Sequence, residues 1–141
     1  MALLSTAMRY FLLLSALFML GWGLLGLLEY AGFVLLDLKN PDFLPATQLV
    51  HFIIIFVSGA VYLTGYFTRW SGTPIAMAVI FGMLAMMCTI QTFDMMTNDG
   101  RYAAYGREIV MYIVFTIFLF RSNAMQEHFG RPSPARMAGD V

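Results

Sequence analysis

Four stretches of the chain are each long and apolar enough to cross a bilayer as a helix, which takes about 20 mostly apolar residues. They cover residues 10–28, 46–68, 74–96 and 102–120. The chain is 60% hydrophobic and 11% charged, whereas soluble domains are about 45–50% apolar and about 25% charged. Because so few charges cannot cover this surface in water, the sequence predicts an all-α polytopic membrane protein. We expect its four transmembrane helices to form an up-down antiparallel bundle.

The expected domain organisation and orientation follow from the loops and the tail. Residues 1–122 are predicted to form the four-helix transmembrane domain, and residues 123–141 a mobile C-terminal tail with little to bury. Lys and Arg accumulate in the cytoplasmic loops of membrane proteins. With the N-terminus inside, the inner side carries Arg9, Arg69, Arg121, Arg131 and Arg136, and the outer side Lys39, Arg101 and Arg107. This excess predicts an N-in, C-in, multi-pass protein of a bacterial inner (plasma) membrane.

Charge and motif content exclude several classes of function. The net charge is zero, which argues against nucleic acid as a partner, because phosphate binding needs a concentrated basic face. The single cysteine, Cys88, excludes a disulfide framework, and its apolar setting predicts a buried, inert thiol. The E-x-x-H spacing of di-iron bundles and the G-x-S-x-G motif of hydrolases are absent. We therefore predict no metal site and no catalytic residue.

The depth of Arg107 and Glu108 is the main question that the fourth stretch raises. The apolar run from Ile109 to Phe120 spans only about 18 Å as a helix, while the hydrocarbon core is about 30 Å thick. The helix must therefore begin near Arg101 or Tyr102. Arg107 and Glu108 then lie roughly two turns below the outer boundary, where an ionised group costs about 2.5–3.5 kcal/mol or more unless it is paired or hydrated.

Each of the other three helices brings an ionisable group to a similar height, on a face that carries its polar residues. We therefore predict an outward-facing polar cluster that consists of Glu29, His51, Gln91, Asp94, Arg107, Glu108 and Tyr112. Two interpretations stay open. The cluster could be an internal ion-pair network, with Arg107 on Asp94 or Glu29, and Glu108 on His51 or Tyr112. It could instead be a ligand or proton site, in which His51 relays protons or binds a quinone carbonyl.

Small residues predict close contacts between helices. The first helix carries Gly21, Gly23 and Gly26, and the third carries the stripe Ala78, Gly82 and Ala85. Such surfaces let helices approach closely, either within the bundle or between chains. The twelve methionines are interpreted as gap-fillers of an apolar core rather than as copper ligands.

The layout resembles the small DoxX-like four-helix membrane proteins. The residues that carry the resemblance are "RYFLLLSALFMLGWGLLGLL", "SGAVYLTGYFTR", "FDMMTNDG" and "REIVMYIVFTIFLFR". The third helix ends in "CTIQTFD" and lacks the Arg that the family often carries there. The better understood relatives look like small membrane subunits of quinone-linked oxidoreductases, so the resemblance implies a role of that kind but transfers no catalytic residue.

Three functions are consistent with the sequence. The first is a small accessory or assembly subunit of a larger membrane complex, non-catalytic alone, with membrane lipids and other membrane subunits or a second copy as partners. The second is an outward-facing polar pocket for a quinone or lipid-like ligand, with no other cofactor predicted. The third is a homo-oligomeric proton-coupled transporter.

Overall fold

A computed structural model describes residues 2–33, 36, 38 and 43–130 of the chain, and in these residues the protein is helical, without β-strands. The helices are α1 (Ala2–Tyr30), α2 (Pro45–Phe67), α3 (Thr73–Ile90), α4 (Arg101–Arg121) and α5 (Asn123–His128). A π-helical turn, Gln91–Met95, continues α3 at its C-terminal end.

Among the described residues, four helical segments are long and apolar enough to cross a membrane: Ser5–Tyr30, Pro45–Phe67, Thr73–Met95 and Arg101–Arg121. Helices suit this composition because a bilayer offers no partner for a backbone N–H or C=O, and a helix satisfies these groups within itself. Proline at the start of α2 and of α3 costs no hydrogen bond there, since the first N–H groups of a helix have no intrahelical acceptor. The chain is thus a multi-pass membrane protein by the length and apolarity of its helices.

Large apolar side chains cover the outer surface of these helices. Phe18, Val79 and Val110, for example, are more than half exposed. An apolar surface of this extent suits hydrocarbon, in which such side chains need no cover.

The closest helix contact joins α1 to α2 through glycines. A Cβ on Gly59 would lie 2.5 Å from the carbonyl oxygen of Ala16 and 2.6 Å from the amide nitrogen of Leu20. A Cβ on Gly23 would lie 2.5 Å from the amide nitrogen of Phe56, and Gly26 lies against the ring of Phe52. The two backbones can therefore touch only because these positions carry no side chain.

The other small residues singled out in the sequence have different surroundings. Gly21 and Gly82 have open space where a Cβ would point. Ala78 and Ala85, with Gly82, line a shallow groove of about 290 Å³ between α3 and α4. Gly59, which sequence reasoning missed, occupies the α1–α2 contact instead, and its neighbours in "SGA" were the available signal.

The C-terminal part of the described chain is packed against the bundle. Sequence reasoning placed residues 123–141 in a mobile tail, yet α5 buries Met125 completely and is followed by a completely buried Phe129. Gly130, at a φ of 65°, ends this segment in the left-handed conformation that glycine adopts without strain. Two large apolar side chains thus anchor residues 123–130, while residues 131–141 lie outside the described residues.

Helices α1 and α4 hardly meet along their backbones, although α1–α2, α2–α3 and α3–α4 all pack together. At one end, Ser5 Oγ lies 3.4 Å from Ser122 Oγ, and the rings of Phe11 and Phe115 are 5.7 Å apart. Beyond Phe11 a cavity lies between the two helices. The fold is therefore closed at the Phe11 end and open along the rest of the α1–α4 seam.

The α1–α2 contact predicts a specific sensitivity to added methyl groups. Gly59→Ala should destabilise the protein by about 1–3 kcal/mol, because its Cβ collides with backbone atoms of α1 that cannot rotate away. The measurement is the midpoint of thermal unfolding in mild detergent, followed by circular dichroism. Gly82→Ala, which adds the same group where nothing lies within 4 Å, is the matched control. An equal loss in both variants would contradict the proposed tight contact.

Candidate functional site

A cavity of about 570 Å³ occupies the gap between α1 and α4 and is backed by α2 and α3. Most of its wall is apolar, from residues such as Met19, Ile55, Phe81, Met111 and Phe115. Its polar groups come from Ser15, Ser58, Tyr62, Tyr112, His51 and Glu108. The cavity is thus an apolar chamber with a few polar groups, a composition typical of small-molecule sites.

One end of the cavity is formed by His51 of α2 and Glu108 of α4. Gln91 Nε2 lies 2.7 Å from His51 Nδ1, and the Cys88 thiol donates a hydrogen bond of 3.0 Å to Glu108 Oε2. Gln91 and Cys88 are both buried, so each holds its partner from the α3 side. The imidazole and the carboxylate are therefore positioned by side chains of a third helix.

The bond to Gln91 defines the proton position on His51. An amide nitrogen can only donate, so Nδ1 is the acceptor, and the neutral imidazole carries its proton on Nε2. Nε2 has no hydrogen-bond partner among the described residues. A second group in the cavity could therefore accept a hydrogen bond from it.

A smaller cavity of about 290 Å³ lies on the other side of the same two residues. His51, Glu108, Trp22 and Ile55 line both cavities. The π-helical turn contributes Gln91 and Thr92, both buried, to the smaller one. A π-turn shifts the side chains that follow it around the helix axis and is frequent at functional sites.

Aromatic rings surround the large cavity near its opening and along its back wall. Trp22 stacks on Phe18 at a centroid distance of 5.7 Å, and Tyr112 stacks on Phe81 at 5.5 Å. Tyr62, only 2% exposed, lines the closed end, and its hydroxyl has no hydrogen-bond partner among the described residues.

The sequence-predicted polar cluster divides into three groups. His51, Gln91 and Glu108 come together at the polar end of the cavity, and Tyr112 lines the same cavity. Asp94 and Arg107 are exposed on the outside of the helices. Glu29 has a separate role in the connection after α1.

Glu29 is 3% exposed, and its carboxylate accepts hydrogen bonds from the backbone N–H groups of Leu36 at 2.8 Å and Leu38 at 2.6 Å. Gln48 of α2 donates to the Leu38 carbonyl oxygen at 2.9 Å. Two backbone donors thus compensate the buried charge of Glu29 without any arginine. The ion-pair network that joins Arg107 to Glu29 or Asp94 is absent from the contacts of the described residues.

Sequence reasoning did not include Cys88, Trp22 or Tyr62 in the cluster. Helical periodicity places Trp22 on the same face as Glu29 and Tyr62 on the same face as His51, so this periodicity was a usable signal. Cys88 was expected to be a buried, inert thiol, and it is buried, but its hydrogen bond to Glu108 depends on the contact between α3 and α4. No group of three or more His, Cys, Asp and Glu residues in the described part of the chain could hold a metal ion.

No protein-family model, curated protein or solved structure matches this chain in the comparisons that we made. The interpretation of the site therefore rests on its own geometry.

The role of Glu29 gives a testable prediction about stability. Glu29→Gln should cost about 1.5–3 kcal/mol, because an amide nitrogen would replace one of the two oxygens that accept backbone N–H groups. Hydrogen exchange of the amides between α1 and α2, followed by mass spectrometry, should show faster exchange at Leu36 and Leu38. Asp94→Asn, the same neutralisation at an exposed carboxylate, should leave exchange there unchanged. Equal protection in wild type and Glu29→Gln would contradict this role.

The Tyr62 hydroxyl gives a second prediction, of opposite sign. Tyr62→Phe should leave stability unchanged or raise it by up to about 1–3 kcal/mol, because it removes a buried donor that has no partner. The thermal unfolding midpoint in detergent measures this. A clear loss of stability in Tyr62→Phe would show that the hydroxyl is hydrogen-bonded.

Proposed function

We propose that the protein binds a lipid-like amphiphile with a polar, quinone-type headgroup in the large cavity between α1 and α4. The single observation that carries the proposal is a chamber of about 570 Å³ with an apolar wall and one polar end formed by His51 and Glu108. Ligand cavities are commonly about 300–1,000 Å³ and combine apolar walls with a few convergent polar groups.

The location of the cavity favours a ligand that reaches it from the bilayer. Leu14 and Phe18 of α1 and Met111 of α4 line the cavity and are also exposed on the apolar surface. An apolar tail could therefore extend from the chamber into hydrocarbon without contact with water. A water-soluble metabolite would gain little from these walls.

The polar end suits a headgroup with a carbonyl oxygen. His51 Nε2–H is the available donor, and Gln91 fixes the ring in the orientation that presents it. The stacked pair Trp22 and Phe18 adds aromatic faces beside the same end, against which a planar ring could pack. A quinone supplies both the carbonyl oxygen and the planar ring.

The orientation of the protein in the membrane belongs to the same proposal. We infer an up-down antiparallel bundle, N-in and C-in, in a bacterial inner membrane, with the polar end of the cavity toward the outer side. Arg9 contacts Tyr66, and further along α1 Tyr30 contacts Gln48, so the contacts run in opposite directions along α1 and α2. The five-to-three excess of basic residues supports the N-in assignment.

A second candidate function is a DoxX-like accessory subunit of a quinone-linked membrane complex. The observation that favours it is the groove along Ala78, Gly82 and Ala85, which leaves an unfilled surface smooth enough for a helix of another subunit or a second copy. Gly82→Leu should release such a partner in mild detergent while the unfolding midpoint is unchanged. A single, partner-free species for the wild-type protein in native mass spectrometry would refute this candidate.

Fluorescence provides a direct test of the quinone proposal, because the chain has two tryptophans, of which Trp22 lines the cavity and Trp70 does not. Decylubiquinone should quench the emission of Trp22 in a saturable manner. His51→Ala should raise the half-saturating concentration by about tenfold. This is the effect expected from the loss of roughly one hydrogen bond in an apolar site. Ser15→Phe, which places a ring in the chamber, should abolish saturable quenching.

Two controls make this test specific. Trp22→Phe should remove the saturable component, since Trp70 is half exposed and away from the cavity. Arg107→Gln, next to Glu108 in sequence but exposed, should bind like wild type. Quenching that does not saturate, or that Ser15→Phe leaves unchanged, would refute binding in the cavity.

A further inference from the structure

Arg9 lies at the opposite end of the transmembrane helices from His51 and Glu108, beside the C-terminal end of α2. The Arg9 side chain donates a hydrogen bond of 2.6 Å from Nη2 to the hydroxyl of Tyr66, and its guanidinium also lies 5.8 Å from the centre of that ring. Tyr66 is in the last turn of α2, which ends at Phe67. Arg9 is therefore level with the end of a membrane-spanning helix, where lipid headgroups meet hydrocarbon.

The charge of Arg9 is not neutralised by the described part of the chain. Its hydrogen-bond partner there is a neutral hydroxyl, and no carboxylate of the described residues forms an ion pair with it. A guanidinium has five N–H donors, of which the bond to Tyr66 uses one. A cation beside hydrocarbon normally has a counter-charge or reaches the headgroup layer.

A small recess lies directly beside this guanidinium. It has a volume of about 110 Å³ and is lined by Thr6, Arg9, Tyr10, Leu13 and Tyr66. This is roughly the volume of three or four water molecules, enough for one phosphate group. Thr6 and Tyr10 also line the recess, and their hydroxyl groups are neutral donors beside the charged guanidinium of Arg9.

The position of Tyr66 is fixed from its other side. The ring of His128 stacks on Tyr66 at a centroid distance of 4.2 Å, and His128 Nε2 lies 2.9 Å from the Tyr66 carbonyl oxygen. The buried Phe129 packs edge-on against the same ring. The docked α5 segment thus holds Tyr66, and Tyr66 holds Arg9 at the recess.

We propose that Arg9, with Thr6 and Tyr10, binds the phosphate of an anionic phospholipid at this recess. The surrounding surface fits a lipid, because Tyr10, Phe11 and Leu14 are each about half exposed or more on the same helix. An acyl chain could lie along Tyr10 and Phe11 while the phosphate contacts the guanidinium in a charge-assisted, bidentate manner. The recess shares no lining residue with the large cavity, and this proposal does not depend on the quinone proposal.

The test is native mass spectrometry of the full chain in mild detergent, with phosphatidylglycerol and phosphatidylcholine offered in equal amounts. The wild-type protein should retain phosphatidylglycerol preferentially. Arg9→Gln should reduce that preference about fivefold, the effect of roughly one basic residue at an anionic lipid surface. Arg121→Gln, which removes the same charge from an exposed position at the end of α4, is the matched control and should retain the preference.

Two further variants separate binding from folding. Arg9→Lys keeps the charge and should keep most of the preference. Tyr66→Phe removes the bond that holds the guanidinium at the recess, so it should lower the preference, but by less than Arg9→Gln because the charge remains. If Arg121→Gln loses as much preference as Arg9→Gln, or if Arg9→Gln binds like wild type, the site is refuted. Inorganic phosphate that displaces the lipid at equimolar concentration would show a free-anion site instead.

Discussion

The glycine-lined contact between α1 and α2 determines where the protein is dense and where it is open. Gly23, Gly26 and Gly59 allow the backbones of α1 and α2 to pack in direct contact. α1 then has little surface left to meet α4 beyond the Phe11 and Phe115 rings. The cavity lies between α1 and α4, where the two helices do not pack closely. In water such an apolar gap would tend to collapse, but in a bilayer its mouth faces hydrocarbon and is not a hydrophobic defect.

Polar side chains in the transmembrane helices are satisfied locally rather than by one shared network. Glu29 accepts hydrogen bonds from backbone N–H groups of the connection that follows α1. His51 is hydrogen-bonded to Gln91, and Glu108 accepts a hydrogen bond from the Cys88 thiol. These side chains differ in the hydrogen-bonding capacity that remains unused. Glu29 has both oxygens occupied, whereas His51 retains an Nε2–H that has no partner among the described residues.

The two proposed sites lie at opposite ends of the helices and are built in a similar way. In each, an ionisable side chain is held by a neutral partner from a neighbouring helix, His51 by Gln91 and Arg9 by Tyr66. A neutral partner positions such a group without cancelling its charge or its hydrogen-bonding capacity. Exposed apolar side chains lie beside each, Leu14 and Phe18 at the large cavity and Tyr10 and Phe11 near Arg9.

The amino-acid sequence alone predicts the four helices of membrane-spanning length that the described residues form, because a helix in hydrocarbon depends on local composition and on its own backbone. The same length argument placed the start of α4 near Arg101 or Tyr102, and the structure has it at Arg101. Periodicity also placed His51, Gln91 and Glu108 on polar faces, which tertiary contacts then brought together.

Only the tertiary structure decided which of those polar groups meet. Asp94 and Arg107 are exposed, since the rotation of a helix about its axis depends on contacts such as that of Cys88 with Glu108, and on the π-turn at Gln91–Met95. Neither effect is visible in a count of residues along one helix. The hydrogen bonds of Glu29 also could not be predicted from the sequence, because its donors are backbone amides of a connection that has no regular pattern. The depth of a residue in the membrane follows from the rise per residue along its helix, whereas the direction in which its side chain faces follows from how neighbouring helices pack.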